Sequence, residues 1–569
     1  MTGPLGLTQA VGATKQANGR YSIVFQGGSL KIGDTDGITL FDLLFTEKYS
    51  KKNPDQIAFA EASNPKNHIT YGQFKEDVLK CAADLRYEYG IQHGDVIALC
   101  SPNNLQYPVL FFAVIAAGGI VSSILHTTNT SEEEIYQNIC SSKPKFIIMH
   151  HSLMKVALDY AKRTGLPEAS VLMVTSCVCN ESCDYAHRPT VDTTLFSRGK
   201  LDQPYPYTRH DLVNTPCCFY YSSGTTGQSK VIMITQSSLV HCFLNTADRA
   251  SPLKALAISF FSFTSSFVYY LIGGVFFGFT ACIVEDFQTS AEEICKLIEG
   301  LGINCMIVPP YIISILIKQQ DICRNYDLSS LLRVDVSGAF IDVNTINRVR
   351  EELGIPIMNT YGMSECFSIF QSCVGYTLAG STGSLRPGVL ARIVDGNGND
   401  LPIGHEGELR VKSRAMTLGY YNNPEESAAL FDEQGYLKTR DIFKVDKDGL
   451  FYYVSRMKDM IKSRFTTFFP QEIEQILIQH PLVIDCAVIG VYSEEEMAEL
   501  PNAYVILRDV DKHNLLKEVQ DYANSQLPEY KWLHGVIEVQ CLPRTGSGKV
   551  QRFKLQRMVA RNEISLLHG

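Results

Sequence analysis

A short loop rich in hydroxyl groups and glycine is the segment of this sequence best suited to bind phosphate. Its residues are Ser222, Ser223, Gly224, Thr225, Thr226, Gly227 and the lysine that closes it, Lys230. Glycine lets backbone N–H groups approach an anion, the hydroxyls add donors, and the lysine adds a compact positive charge. The loop therefore predicts a nucleotide triphosphate as ligand, and an ordinary polar hairpin turn is the alternative.

The residues on either side of this loop predict two strands. Apolar and aromatic residues occupy positions 217–221, and a largely β-branched run occupies positions 231–234. The helix-opening phosphate loop of the common NTPases needs serine or threonine after its lysine, followed by a helix. Because Val231 follows Lys230, the order strand, loop, strand is predicted instead.

Two segments in the middle of the chain supply residues suited to a purine, a phosphate and a metal ion. Gly338 and Ala339 lie in a small-residue turn after the alternating stretch 332–336. Tyr361, Ser364 and Glu365 combine an aromatic ring, a hydroxyl and a carboxylate within five residues. Such a group can stack on a base, contact a phosphate and hold a hard cation through oxygen.

Three charged residues farther along the chain complete the candidate site. Asp441 follows a glycine-containing turn and could accept hydrogen bonds from both ribose hydroxyls, although an ordinary turn aspartate is the alternative. Arg456 opens a charged segment and could equally pair with a surface carboxylate. Lys549 lies in the glycine-flanked loop 543–549, where the plain interpretation is a solvated lysine.

Taken together and in this order, these segments resemble the adenylate-forming superfamily. That superfamily includes acyl-CoA synthetases, coumarate–CoA ligases and firefly luciferase. The resemblance extends from about Thr70 to Lys549 and is weakest at its start. The phosphate loop, the Tyr-Gly-Met-Ser-Glu motif at 361–365 and the terminal lysine loop are specific as a trio.

The resemblance implies a role for each candidate residue. Segment 222–230 would surround the β- and γ-phosphates of ATP, while Gly338, Ala339 and Tyr361 would hold adenine. The other implied roles are contact with the α-phosphate for Ser364, Mg²⁺ binding for Glu365, ribose binding for Asp441 with Arg456, and approach to the α-phosphate and the attacking carboxylate for Lys549.

The implied reaction has a clear electrostatic requirement. A carboxylate is a weak nucleophile and is repelled by a phosphate, so positioned cations must neutralise the developing charge and align the attack. The product would be an acyl-adenylate plus pyrophosphate. In the family, the small C-terminal domain then rotates about a hinge, here Lys458, so that CoA can attack.

The sequence departs from the family pattern at five places. The usual Pro-Lys-Gly is Ser229-Lys230-Val231, and Gln236 replaces a common histidine. The acyl-pocket histidine has no counterpart in segment 261–265, the glycine of Thr-Gly-Asp is Arg440, and a glycine after the hinge is replaced by Phe465. These changes bear more on thioester formation than on adenylation.

Helical and extended patterns alternate along the chain and predict an α/β fold. We expect a large N-terminal adenylation domain of mixed sheets and packed helices (residues 1–455) and a small, mobile α+β C-terminal lid domain (residues 456–569). Short strands and Asp/Gly turns from 388 to 455 predict a β subdomain within the first.

Composition excludes several classes of function. The 569 residues are 45% hydrophobic with a net charge of −9, which argues against disorder and against nucleic acid as a main partner. The 17 cysteines are scattered, and the N-terminus has no basic segment followed by an apolar core. We therefore expect reduced thiols in an intracellular, cytoplasmic protein. A peroxisomal location is possible by family resemblance, but the final residues are not Ser-Lys-Leu.

Two uncharged stretches and one cysteine-rich segment need separate interpretation. Stretches 96–130 and 255–284 are long enough to span a bilayer, but polar and glycine residues interrupt them, so buried core elements are predicted. Segment 177–187 contains Cys177, Cys179, Cys183 and His187, with spacing that fits no zinc-finger pattern. A cysteine-rich connection is the favoured interpretation there.

Two hypotheses of function follow. The first is an ATP- and Mg²⁺-dependent acid–thiol ligase that activates a fatty or aromatic carboxylic acid as acyl-AMP and transfers it to CoA. The second is a divergent relative that binds nucleotide without forming a thioester, either as an adenylation-only enzyme or by binding alone. A small-molecule acid is the expected partner of the first.

Overall fold

The computed structural model describes most of the chain, and its strands and helices alternate as expected. The described residues are 9–15, 21–26, 35, 37–50, 52–127, 130–175, 185, 188–196, 199–222, 229–244, 253–285, 290–341, 343–367, 369–373, 375, 377, 379–463, 466–493, 498–508, 515–544, 549–561 and 563–564.

The described residues form strands throughout the chain. In chain order they are β1 (Gln9–Lys15), β2 (Tyr21–Gln26), β3 (Ile57–Glu61), β4 (His68–Thr70), β5 (Val96–Cys100), β6 (Ile120–Ser123), β7 (Phe146–His150), β8 (Val171–Val174), β9 (Pro216–Ser222), β10 (Lys230–Thr235), β11 (Lys254–Ala257), β12 (Thr280–Ile283), β13 (Cys305–Val308), β14 (Arg333–Val336), β15 (Ile357–Asn359), β16 (Phe370–Gln371), β17 (Ser384–Leu385), β18 (Leu390–Val394), β19 (Gly407–Lys412), β20 (Leu437–Val445), β21 (Phe451–Arg456), β22 (Ile461–Ser463), β23 (Thr466–Phe468), β24 (Val483–Ser493), β25 (Ala498–Leu507) and β26 (Gly535–Glu538).

Helices connect and cover these strands. The α-helical segments are Leu40–Phe45, Tyr71–Tyr87, Gln106–Ala116, Glu132–Ser142, Met154–Thr164, Val191–Thr194, Arg209–Asn214, Gln236–Phe243, Thr264–Ser266, Val275–Phe277, Ala291–Leu301, Pro310–Lys318, Gln320–Cys323, Val343–Leu353, Pro424–Ala429, Pro470–Leu477, Leu515–Asn524 and Arg552–Ala560. A wider, π-helical turn spans Phe267–Gly274, and short 3₁₀ turns span His151–Leu153, Glu168–Ser170, Met457–Asp459 and Glu529–Lys531.

Two large sheets with mostly parallel strands form the centre of the molecule. Their strand orders are β10-β9-β6-β5-β7-β8 and β15-β14-β13-β11-β12-β3-β4. All five residues of β5 are buried, as expected for a strand that is covered by helices on both faces. The carboxyl end of β14 leads directly into the turn at Gly338, one of the predicted nucleotide contacts.

An antiparallel sheet and a small C-terminal sheet complete the fold. The antiparallel sheet has the order β1-β2-β18-β19-β20-β21, and the C-terminal sheet has the order β24-β25-β26. The predicted α/β fold class is therefore confirmed. The predicted β subdomain contains β18 to β21, but its sheet also includes β1 and β2, which sequence analysis did not place there. The division near residues 455–458 stays a prediction.

The two long uncharged stretches fold as interior elements. In Gln106–Ala116 every residue after Gln106 is buried, and this helix packs against Tyr71–Tyr87. Segment 255–284 is divided among β11, the helical stretch 264–277 and β12. Among the described residues, no helix has the length and apolarity needed to cross a membrane. The cytoplasmic location remains a prediction.

Candidate active site

A cleft of about 1530 Å³ brings together the predicted nucleotide-binding residues that the structure describes. Those in its lining are Lys230, Gly338, Tyr361, Ser364, Glu365, Asp441, Arg456, Lys458 and Lys549. Ala339 lines an adjoining cleft of about 1360 Å³, which shares Gly338, Tyr361, Asp441, Arg456, Lys458 and Lys549 with the first. Residues more than 300 positions apart in the sequence thus surround one space.

The predicted phosphate loop connects two paired strands at this cleft. β9 and β10 are antiparallel, with Ser222 opposite Lys230, as the residue pattern indicated. Tyr221, Ser229 and Lys230 line the cleft at the ends of these strands. Ser223, Gly224, Thr225, Thr226 and Gly227, and the side chain of Ser222, lie outside the described part of the structure.

Lys230 is held by a partner that the sequence did not reveal. Its Nζ forms an ion pair with the carboxylate of Glu426 and lies 5.0 Å from the centre of the Tyr420 ring. Glu426 is in the first turn of helix Pro424–Ala429, 196 residues from Lys230. No local sequence signal could have predicted this pair.

Tyr361 and Asp441 form a connected pair in the cleft. The Tyr361 ring packs near Phe443 and Tyr453, with ring centres 4.8 Å and 6.2 Å away. Its hydroxyl donates a hydrogen bond of 2.7 Å to Oδ2 of Asp441. Burial and the Asp441 charge raise the pKa of Tyr361, so the hydroxyl remains a donor at neutral pH.

Asp441 also forms an ion pair with Arg456 across the β20–β21 pair. These two residues are register partners, and Nε of Arg456 lies 3.1 Å from Oδ1 of Asp441. Asp441 is only 3% exposed, and its charge raises the pKa of Arg456. The carboxylate therefore has a fixed orientation, with its oxygens shared between one hydroxyl and one guanidinium.

Ser364 and Glu365 are oriented by hydroxyl groups from two other segments. The Thr264 hydroxyl donates to Oγ of Ser364 at 3.1 Å, and the Tyr420 hydroxyl donates to Oε1 of Glu365 at 2.8 Å. Oε2 of Glu365 accepts no hydrogen bond from the described residues. Mg²⁺ commonly binds a carboxylate together with phosphate oxygens. Glu365, with one oxygen oriented by Tyr420 and the other available to a ligand, fits this ion.

Lys549 enters the cleft from the C-terminal part of the chain. Its side chain passes close to Gly338, whose φ is +94°: a Cβ at that position would lie in van der Waals contact, 4.0 Å from Cε of Lys549. Burial and, to a smaller extent, the neighbouring Arg456 lower the pKa of Lys549 to about 8, although Asp441 and Glu365 act in the opposite sense. Burial also lowers the pKa of Lys458.

The cleft therefore combines positive side chains with two buried carboxylates. Arg456, Lys458 and Lys549 affect one another electrostatically, and Asp441 and Glu365 lie within the same network. Such an arrangement can bind a polyanion, because phosphate oxygens neutralise the mutual repulsion of the clustered cations and so lower the electrostatic free energy. The carboxylates supply positions for hydroxyl groups and for a metal ion.

The predictions concerning cysteine and Phe465 fall outside the described residues. Cys177, Cys179, Cys183, His187 and Phe465 are all in segments that the structure does not describe. Within the described ranges, no group of three or more His, Cys, Asp or Glu side chains could hold a metal ion.

Comparison with protein families gives two matches that together span most of the chain. Residues 46–421 match the AMP-binding enzyme family, and residues 472–549 match the C-terminal domain of AMP-binding enzymes. The first match starts before Thr70, where the sequence resemblance was weakest.

Relatives of similar length include proteins named as CoA ligases. The chain is 28% identical over 521 residues to 4-coumarate–CoA ligase-like 6 of Arabidopsis thaliana, covering 88% of this chain and 87% of that protein. It is 28% identical over 540 residues to a putative acyl-coenzyme A synthetase of Emericella nidulans, covering 90% and 95%.

Solved structures share the fold over nearly their whole length. An anthranilate CoA ligase, AuaEII, in complex with anthranoyl-AMP matches with a TM-score of 0.78 and 23% identity, over 93% of this chain and 98% of that one. ATP-bound MatB from Rhodopseudomonas palustris matches with a TM-score of 0.77 and 22% identity, over 91% and 98%.

Proposed function

The chain belongs to the family of AMP-binding enzymes, and we propose that it is an ATP- and Mg²⁺-dependent acid–thiol ligase. It would join a carboxylic acid to AMP with release of pyrophosphate, and then transfer the acyl group to CoA. The observation that carries this proposal is the meeting of Tyr361, Glu365, Asp441 and Lys549 in one cleft. Relatives named as CoA ligases support the thiol step.

Each group would act on a different part of the reacting pair. Asp441, fixed by Tyr361 and Arg456, would accept hydrogen bonds from the ribose hydroxyls. Lys549 would bridge the attacking carboxylate and the α-phosphate, where its charge offsets their repulsion. Glu365 would hold the Mg²⁺ ion, which when bound supplies positive charge to the phosphate oxygens.

The cleft wall formed by Phe243, segment 262–279 and β14 suggests the kind of acid that would bind. Phe243, Val268, Phe277 and Phe279 contribute apolar surface to the cleft, which suits a fatty or aromatic body. Thr264 contacts Ser364 near the reacting end, and Tyr269 lies about one turn farther along the same helical segment.

Polar groups without partners are present on this wall. Among the described residues, the hydroxyls of Ser262, Ser266 and Tyr269 are buried and make no hydrogen bond. Asp335 and Arg333, which also line the cleft, neutralise each other as an ion pair. Because buried hydroxyls need partners and the pair has no net charge, an uncharged polar group at the distal end of the acid fits best.

The second hypothesis, adenylation or nucleotide binding without thioester formation, also has support. Segment 261–265 contains no histidine, and Lys230 is already paired with Glu426. The missing histidine would slow transfer to the thiol, and the Lys230–Glu426 pair would weaken phosphate binding. Glu365, Asp441 and Lys549, the groups that adenylation needs, are all present.

A two-stage assay separates the hypotheses. The protein is incubated with ATP, Mg²⁺ and pairs of acids that differ by a distal hydroxyl or a second carboxylate. Pyrophosphate is measured first and CoA thioester second. We expect both products, with preference for the hydroxylated member of each pair. Pyrophosphate without thioester would indicate an adenylation-only enzyme, and ATP binding without either product would indicate a non-catalytic relative.

A further inference from the structure

Arg440 adopts a backbone conformation that arginine rarely takes. Its φ is +58°, in the left-handed region, and residues 439–441 of β20 together face the single residue Leu409 of β19. A bulge of this kind normally places glycine at the left-handed position, because a Cβ there is crowded by the backbone. Glycine would make the same turn without strain, so the turn itself does not require an arginine.

Hydrogen bonds made by the residues beside Arg440 stabilise this bulge. The Thr439 hydroxyl donates to the Leu409 carbonyl at 2.7 Å, and Asp441 N–H donates back to that hydroxyl at 3.1 Å. This bulge directs Asp441 towards Tyr361 in the cleft. The strained residue is thus next to the candidate ribose-binding carboxylate, and backbone strain of this kind concentrates at functional sites.

The Arg440 side chain lies on the Glu365 side of the cleft and is exposed to it. It is part of the cleft lining, and its charge lowers the pKa of Tyr420, the residue whose hydroxyl donates to Glu365. Burial and Glu365 outweigh that effect and raise the pKa of Tyr420 overall. Within the described residues, the Arg440 guanidinium has no hydrogen bond or ion pair with another side chain.

Lys230, the other cation near Tyr420, differs from Arg440 in that it already has a side-chain partner. Its charge is neutralised by Glu426 and lies over the Tyr420 ring. We therefore propose that Arg440 binds the β- and γ-phosphates of ATP and the pyrophosphate product. This inference rests on the proposed function. The planar guanidinium can donate two parallel N–H bonds to phosphate oxygens, which gives the strained position a use that glycine could not supply.

Binding measurements on three variants test this assignment. R440G removes charge and strain together, R440Q removes the charge but keeps a side chain at positive φ, and R440K keeps a charge without the planar fork. R348Q, on the exposed face of helix Val343–Leu353, is the control for loss of one arginine. Affinities for ATP, pyrophosphate and AMP, each with Mg²⁺, are measured by calorimetry, and thermal unfolding is recorded for each protein.

We expect R440G and R440Q to weaken ATP and pyrophosphate binding by about tenfold or more and AMP binding by less than about twofold, because AMP lacks the β- and γ-phosphates. The ATP and pyrophosphate affinities of R440K should fall between those of these two variants and the wild type, and those of R348Q should match the wild type. R440G should unfold at a higher temperature than R440Q.

Unchanged ATP affinity in both charge-removing variants, or an equal loss of affinity for AMP, would overturn the assignment. If those variants keep ATP affinity while the wild type still releases pyrophosphate, only this inference fails. If the wild type binds neither ATP nor pyrophosphate, the proposed function fails as well.

Discussion

Lys549 illustrates how the cleft sets the charge of a single residue. A lysine in water has a pKa of about 10.4, so it is almost fully protonated at neutral pH. Here burial and the positive Arg456 lower the pKa to about 8, although Asp441 and Glu365 partly compensate. The proton of Lys549 is therefore lost within the range in which enzyme rates are measured, and its role can be followed by pH.

The pH dependence of adenylation should report this lysine. Because the protonated form is the one that offsets phosphate and carboxylate charge, kcat/KM for ATP should be constant below pH 8 and fall by about tenfold per pH unit above it. Lys549→Arg should move the fall to higher pH, since guanidinium stays charged. A profile that is the same in both proteins would assign the fall to another group.

Removal of the Lys549 charge should slow the first half-reaction directly. We expect Lys549→Ala to lower the rate of pyrophosphate release by at least about 10²-fold, as for loss of a charge-stabilising donor. Lys531→Ala, which removes a lysine that pairs with Glu472 outside the cleft lining, is the matched control and should leave the rate unchanged. Unaltered turnover in Lys549→Ala would refute the assigned role.

Asp441 gives a third prediction for a single residue. Asp441→Asn keeps the shape but removes the charge that pairs with Arg456, and its amide cannot accept at both positions. The KM for ATP should rise about tenfold, while the KM for 2′-deoxy-ATP should rise less, because that ligand lacks one hydroxyl. Asp448→Asn in the exposed turn before β21 is the control. Equal losses for both nucleotides would place Asp441 away from the ribose.

Elements that depend on short residue patterns could be predicted, and those that depend on distant pairing could not. The β9–β10 hairpin, the strands of 388–455 and helix Ala291–Leu301 follow from hydrophobic period and turn residues. The joining of β1 and β2 to β18 links residues some 365 positions apart, and no local pattern encodes that register.

The same distinction holds for the site. The residues of the family motifs, such as Tyr361 and Glu365, could be selected from sequence because their types and order match a known arrangement. The family match confirms the resemblance to adenylate-forming enzymes and the prediction of a ligase-type enzyme. Tyr420 and Glu426 were missed, since their roles arise only from packing against Glu365 and Lys230. Arg440 was noted as a departure, but its positive φ is visible only in the structure.

Gly383 provides a test of the contact between the β16–β17 hairpin and β21. Its φ is +115°, a Cβ there would lie 2.0 Å from the Gln371 carbonyl oxygen, and its own carbonyl accepts from Phe451 N–H at 2.9 Å. Gly383→Ala should lower the free energy of unfolding by about 2–4 kcal/mol in urea titrations.

Gly300→Ala is the matched control for that substitution. Gly300 is exposed in helix Ala291–Leu301, and no atom lies within 4 Å of the new Cβ. The free energy of unfolding should rise by about 0.5–1 kcal/mol because alanine is the better helix former. If both substitutions changed the free energy of unfolding in the same direction, steric contact at Gly383 would not be what stabilises the contact between the β16–β17 hairpin and β21.

In the molecule as a whole, the cleft is assembled from segments between Ser123 and Lys554. Lys549 and Lys554 come from its last segment, where Lys554 acts electrostatically on Glu134 of helix Glu132–Ser142. Burial lowers the pKa of Lys318 of helix Pro310–Lys318, the Asp485 charge raises it, and the Arg544 charge lowers it. An attraction between opposite charges such as that of Lys554 and Glu134 can be replaced by water at little cost, because surface charge pairs contribute little to stability. This is compatible with the proposed rotation of a C-terminal lid.

The hinge proposal gives a prediction that distinguishes the two half-reactions. Lys458 lies in the single turn Met457–Asp459 between β21 and β22, where a change in backbone angles would rotate everything that follows. Proline fixes φ near −65° and restricts the preceding residue, so Lys458→Pro should trap one arrangement of the lid. Because Lys549 is already in the cleft in this structure, pyrophosphate release should fall only as far as loss of the Lys458 charge requires, about tenfold or less, whereas transfer from supplied acyl-AMP to CoA should fall by about 10²-fold or more. Lys447→Pro is the control: Lys447 is the second residue of the turn closed by the Gly449 N–H to Asp446 carbonyl bond, a position that suits proline, and both half-reactions should be retained. If Lys458→Pro slowed both half-reactions equally, the turn would be a structural element of the cleft and rotation about it would have to be abandoned.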